Sequence, residues 1–169
     1  MEQKVGRYVK NMKVLICSDT HRKHDNLLAV LEKEGPFDLL IHCGDTEGGE
    51  YLISTAAGCR CEIVMGNNDY FSELPRETIF YLGGKKVWVT HGHNYYVSLN
   101  TAIIKEEAMA KGADVVIFGH THKPLLEDGQ VICMNPGSLS YPRQADRRPS
   151  YIILTIDRNN EWHLEAKYM

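Results

Sequence analysis

Five segments of the chain carry residues able to bind a cation or move a proton, and each follows a short apolar run. Asp19 and His21 stand after KVLIC, and Asp45 after DLLIHCG. Asn67, Asn68 and Asp69 follow EIVMG, His91 and His93 follow KKVWVT, and His120 and His122 follow DVVIFG. Carboxylate, amide oxygen and imidazole are the mixed donors that divalent transition metals take, with no thiolate needed. Each motif alone is weak, because an Asp in a turn after Gly is common. Together they put donors at five successive strand ends, with Gly44, Gly66, Gly92 and Gly119 beside them. Glycine lets the backbone turn sharply and approach closely, so that such side chains can converge.

The elements that must position these residues are legible in the hydrophobic pattern. Lys13 to Cys17 reads as a buried strand, and Asp25 as the cap of a helix that Gly35-Pro36 stops. A strand over 38–42, a helix over 50–57 and a strand over 62–65 complete β-α-β-α-β, which argues a parallel sheet with right-handed crossovers. The second half changes character. Gly83-Gly84 joins 78–82 to 85–90 as a hairpin, and a helix over about 100–111 ends at Gly112. Strand 114–118 precedes a hairpin at Asp128-Gly129, and strands over 151–156 and 161–166 close the chain. The expectation is an α/β fold of two packed mixed β-sheets flanked by helices. Ligands of α/β sheets bind in the crevice beyond the strand carboxyl ends, where the donor motifs stand. Residues 1–12 read as an N-terminal extension, an added edge strand or a loose arm, with Met12 an alternative start. Residues 13–169 read as one domain.

The ordered series D-x-H, G-D, G-N-x-D, H-G-H and G-H-x-H resembles that of the calcineurin-like metallophosphoesterases. NPGS at Asn135–Ser138, then Tyr141-Pro142-Arg143, and the short length resemble its small bacterial and archaeal phosphodiesterases of the YfcE type. The resemblance spans about 13–166 and implies an αββα sandwich with two divalent metal ions. Asp19, His21, Asp45 and His122 would hold one; Asp45, Asn67, His91 and His120 would hold the other. It further implies a phosphodiesterase whose metal-bridged hydroxide attacks phosphorus in line. Two divalent ions against two aspartates leave about +2 to meet a phosphate. Manganese is expected foremost, with zinc, iron, nickel or cobalt as alternatives. One position departs from the pattern. Where the family commonly has G-N-H-[D/E], this chain has Asn68, whose amide can hydrogen-bond a phosphate oxygen but donates no proton as an acid. Asp45, Asn67, Asn68 and His91 are the expected catalytic set, while Asp69, His93 and Arg143 are expected to orient the site or touch substrate.

The remaining features bound the reading. The 169 residues make one ordinary domain, burying roughly 70% of its unfolded surface without disulfides. The balance of 19 basic against 22 acidic residues, net −3, is no footprint for strong nonspecific duplex binding. There is no secretory h-region and no apolar run of membrane-spanning length, and the five cysteines read as reduced thiols, so a cytoplasmic enzyme is expected. Among the histidines, His42 reads as a core residue, His24 as a residue at a helix start and His163 as an inconspicuous strand residue. The other reading is a catalytically weak or inactive scaffold of the same fold that binds proteins, as a retromer subunit does; the complete donor set argues against it. Short loops leave no room for an inserted cap, so an open site for a small phosphodiester is expected, with homo-oligomerisation left open. The arginines of 142–149 are expected at the rim of the crevice, Arg143 nearest.

Overall fold

The computed structural model describes residues 10–169. The extension expected over 1–12 therefore lies, up to residue 9, outside the described residues. The first half folds as β1 (Met12–Cys17), α1 (Asp25–Glu34), β2 (Leu39–His42), α2 (Glu50–Ala57) and β3 (Arg60–Ile63). β4 (Glu77–Leu82) and β5 (Lys85–Thr90) form the hairpin, followed by a single 3-10 turn at His93–Tyr95 and α3 (Ala102–Ala110). β6 (Val115–Ile117), β7 (Pro124–Glu127), β8 (Ile132–Pro136), β9 (Ser150–Ile156) and β10 (Trp162–Tyr168) complete the order. Most boundaries shift by a residue or two from the sequence reading, and two of the differences have a clear physical reason. β3 begins at Arg60, because pairing of Arg60–Ile63 with Leu39–His42 outweighs the apolar pattern of 62–65. Asp25 lies inside α1 with His24 at the cap position, so its carboxylate meets the positive end of the helix dipole instead of capping it.

The strands form two five-stranded mixed sheets, β10-β9-β1-β2-β3 and β4-β5-β6-β8-β7. Within the first, β1, β2 and β3 run parallel while β9 and β10 add antiparallel beyond β1. In the second, β5, β6 and β8 are parallel, flanked by antiparallel β4 and β7. Central strands are covered on both faces, which is why they read as continuous apolar runs. Val14 and Ile16 of β1 join Val87 and Val89 of β5 in the layer between the sheets. The alternate residues Leu15 and Cys17 instead pack with Leu27, Val30 and Ile53 under α1 and α2. Trp88 faces Ile104 and Ala108 of α3, and its indole N–H donates to Glu77 at 3.0 Å. Each such aliphatic side chain contributes on the order of 1.5–3 kcal/mol by burial. The sandwich therefore holds its parallel strands rigidly enough to fix what stands beyond their ends.

Candidate metal centre

The loops leaving β1, β2, β5 and β6 bend at once. Asp19, His21, Asp45, His120 and His122 all have φ between 43° and 69°. L-residues rarely adopt this left-handed region, and five of the residues with donor side chains do so here. The surroundings over-determine these turns. Asp19 N–H donates to Gly44 C=O at 3.1 Å, His21 N–H to Asp45 C=O at 2.9 Å, and Gly119 N–H to His91 C=O at 3.0 Å. His120 N–H crosses between the sheets to Asp19 Oδ2 at 3.0 Å. A Cβ on Gly119 would lie 2.0 Å from Ser18 Oγ, and one on Gly66 2.0 Å from Asp45 Oδ1, so only glycine leaves room for the aspartates.

The donors come together in two groups. Asp19, His21 and His122 form one: His122 Nε2 is 3.2 Å and His21 Nε2 3.7 Å from Asp19 Oδ1, and the two Nε2 atoms are 3.1 Å apart. Asp19, Asp45 and His91 form the other, with His91 Nε2 3.4 Å from Asp45 Oδ2. Asp45 Oδ2 also lies 3.6 Å from His21 Nε2, so Asp45 stands between the groups. Asn67 Oδ1 extends the second group, 2.9 Å from His91 Nε2 and 3.0 Å from His120 Nδ1.

The far sides of three of the four rings are anchored. His91 Nδ1 meets Cys43 C=O at 2.7 Å, His122 Nδ1 meets Tyr141 C=O at 2.7 Å, and His21 Nδ1 meets Glu47 Oε1 at 2.6 Å. With Nδ1 as the donor in each contact, the Nε2 lone pair turns inward. Asp19, Asp45 and His91 are essentially inaccessible to solvent. Burial alone would raise the Asp19 carboxyl, yet His122, His21 and His91 hold it well below the usual carboxylate range. Burial likewise opposes ionisation of Asp45, but His91 and Asn68 bring it to about 2. In turn, Asp19 and Glu47 outweigh burial and raise His21 to about 9, and His91 is raised by Asp45 and Asp19. His120 moves the other way, depressed by burial and by His91. The field of this pocket favours positive charge.

The other residues singled out in the sequence have definite places. Asn68 is turned onto Asp45, its N–H donating to Oδ1 and its side-chain amide to Oδ2, both at 2.8 Å. Asp69 is buried, accepting from Asp45 N–H at 2.8 Å, Gly66 N–H at 2.7 Å and Glu47 N–H at 2.6 Å, so it ties the β2 and β3 loops together. The His93 ring lies 5.4 Å from that of His91 and 6.1 Å from that of His120. Its pKa is lowered by burial, then by His91, and the Arg76 charge acts in the same direction. Arg143 lines a cavity of about 580 Å³ with His21, Arg22, Glu47, His122 and Tyr141. His42 is a core residue, its ring between Thr20 Oγ1 at 3.1 Å and Gly44 N–H at 3.2 Å. His24 packs over Gly49, and His163 pairs with Asp157 at the surface. All five cysteines are free.

Sequence reasoning missed Glu47, the partner of His21; its one signal was the D-x-E spacing from Asp45. It also missed what the NPGS segment does. Ser138 Oγ donates to Asp19 C=O at 2.7 Å, and Asn135 Nδ2 donates to Gly119 C=O at 2.8 Å and to Thr121 Oγ1 at 3.0 Å. These bonds hold the two D-x-H-bearing and H-x-H-bearing loops from below.

The donor set fits a divalent cation. Asp19 Oδ1 is buried without a hydrogen-bond partner, a costly arrangement for a carboxylate unless a cation faces it. Two carboxylates, one amide oxygen and inward-turned imidazoles supply the chemistry such an ion takes.

A two-sheet sandwich with this cluster at its strand ends defines a metallophosphoesterase. The chain matches the calcineurin-like phosphoesterase superfamily domain over residues 12–159 and belongs to that family, which hydrolyses phosphoric esters with divalent metal ions. It is 34% identical to the probable metallophosphoesterase YsnB of Bacillus subtilis, over 88% of this chain and 86% of that one. It is 30% identical to the phosphodiesterase MJ0936 of Methanocaldococcus jannaschii, over 75% and 83%. Among solved structures, a predicted phosphoesterase from Streptococcus pneumoniae superposes with TM-score 0.75 at 24% identity, over 95% of this chain and 99% of that one. Zinc-complexed Vps29 from Entamoeba histolytica shares the fold at TM-score 0.72 and 21% identity, over 93% and 99%.

Proposed function

We propose that the protein is a metal-dependent phosphodiesterase acting on small diesters. Asp45 carries this reading, because its carboxylate lies between the His21 and the His91 groups. Asp19, His21, Asp45 and His122 would hold one cation, and Asp45, Asn67, His91 and His120 a second. Two bound divalent ions supply Lewis acidity toward a phosphoryl group and lower the pKa of water toward neutrality. The chain's own residues do the rest. The Cys43 and Tyr141 carbonyls and Glu47 fix the imidazole tautomers. Asn68 steadies Asp45 and offers no proton to a leaving group. Arg143 faces the cavity on the His21 side, where a guanidinium attracts a phosphate. The relative MJ0936 supports the diester assignment. Retention of the whole donor set favours a hydrolase over a protein-binding scaffold. Manganese is the proposed native metal among manganese, zinc, iron, nickel and cobalt, and free thiols in every described cysteine suit the cytoplasm.

Hydrolysis of bis-p-nitrophenyl phosphate after chelator stripping and re-addition of each metal tests this. Activity should vanish in chelator and return best with manganese. Asp45→Asn should lower it by roughly a hundredfold or more, with the circular dichroism of the fold retained. Equal activity of Asp45→Asn and wild type at matched metal content would overturn the reading.

A further inference from the structure

A second cavity, of about 350 Å³, opens beside the cluster on the Asn67 side, away from Arg143. Asn67, Tyr70, Phe71, Arg76 and His93 line it. Its rim is unusual in four respects. Phe71 is 105% exposed and Tyr70 75% exposed, two adjacent aromatic side chains held in solvent. Phe71 has φ 60°, a left-handed conformation that a bulky residue adopts only under constraint. The arginine ion pairs among the described residues are those of Arg22 with Glu47 and of Arg60 with Glu62, so Arg76 brings an uncommitted guanidinium to the cavity. His93 adds a ring nitrogen, Nδ1, that is buried without a partner.

Exposed aromatic faces suit a planar ring laid against them, and a free guanidinium forks onto a phosphate. A nucleotide has both parts, a planar base and a phosphate. We propose that this cavity is a subsite for a nucleotide arm of the substrate, its base against Tyr70 and Phe71 and an additional phosphate on Arg76. The assignment rests on the phosphodiesterase reading, since Asn67 belongs both to the cavity and to the donor cluster where the scissile phosphate would sit. It narrows the substrate class from any small diester to one with a nucleoside on the Asn67 side. The net charge of −3 is no footprint for nonspecific duplex binding, so the substrates proposed are mono- and dinucleotide diesters.

Three diesters with one leaving group separate the contributions: methyl p-nitrophenyl phosphate, thymidine 3′-(p-nitrophenyl phosphate), and the latter carrying a 5′-phosphate. The manganese-loaded enzyme should show KM falling along that series. Phe71→Ala should shrink the methyl-to-nucleoside KM ratio by roughly tenfold, the order of a lost base stack. Arg76→Ala should erase the advantage conferred by the 5′-phosphate. If both variants change KM for all three esters by the same factor, the subsite is wrong while phosphodiesterase activity stands. Calorimetric binding of thymidine 3′,5′-bisphosphate to the loaded protein reads the subsite independently of turnover. Weaker binding to both variants supports it even if wild type cleaves no diester, and equal affinity for wild type, Phe71→Ala and Arg76→Ala overturns it.

Discussion

Asp45 Oδ2 and His91 Nε2 lie 3.4 Å apart, although Asp45 follows β2 of one sheet and His91 follows β5 of the other. The contact exists only because the two sheets pack with their parallel strands ending at a common edge. The layer of Val14, Ile16, Val87, Val89 and their neighbours between the sheets thus sets the spacing of the chemical groups.

Glu47 is the first target for testing how the ring contacts tune the site. Its carboxylate holds His21 Nδ1 at 2.6 Å and also pairs with Arg22 at 3.2 Å. Glu47→Gln keeps the shape but removes the charge that raises His21 basicity. Metal affinity, read by competition with a chromophoric chelator, should fall by roughly 10–100-fold with the melting temperature little changed.

Asn68 makes a kinetic prediction. Without a proton donor at that position, the rate on aryl diesters should fall steeply as leaving-group pKa rises. Asn68→His loses the amide bond to Asp45 Oδ2 but retains the backbone N–H bond to Oδ1. The variant should turn over poorer leaving groups faster, giving a shallower Brønsted plot. A flat wild-type plot with chemistry rate-limiting would contradict this.

His42 predicts a pH dependence of stability. Burial drives its pKa down from 6.5 to about 3, so the folded protein keeps it neutral. Between those values the unfolded chain binds the proton more readily, and stability therefore falls as pH falls through the window from 6.5 to about 3. His42→Asn removes this site while retaining a polar side chain between Thr20 and Gly44. Comparison of urea unfolding free energies for the two proteins should show a slope difference approaching about 1.4 kcal/mol per pH unit, one proton's worth. Parallel curves would refute it.

Arg143 predicts a salt-dependent KM. Its backbone N–H donates to His122 C=O at 3.0 Å, so Arg143→Ala preserves the loop and removes only the guanidinium from the cavity. KM for an anionic diester should rise at low salt, with metal content unchanged. The effect should shrink as the Debye length falls from ~10 Å at 0.1 M to ~3 Å at 1 M.

Much of this protein is written locally. The apolar runs before Ser18, Cys43, Gly66, His91 and Gly119 announce strands, and the donors just past them announce a site, because strand periodicity and turn chemistry act over a few residues. The α/β order, the two sheets and the family follow from that pattern. Tertiary structure alone decided the rest. Whether Asn68 reaches toward a ligand or back onto Asp45, that Glu47 supports His21, and that Asn135 and Ser138 prop the loops carrying Asp19 and His120 all depend on contacts between segments far apart in sequence. The left-handed backbone of Asp19, His21, Asp45, His120 and His122 is not legible in the sequence either: Asp and His tolerate that region better than most residues, but the local preference is too weak to say which of them adopt it. Only the packing of two sheets, edge to common edge, makes those turns the arrangement that satisfies the buried backbone groups, and with them sets where the carboxylates and imidazoles meet.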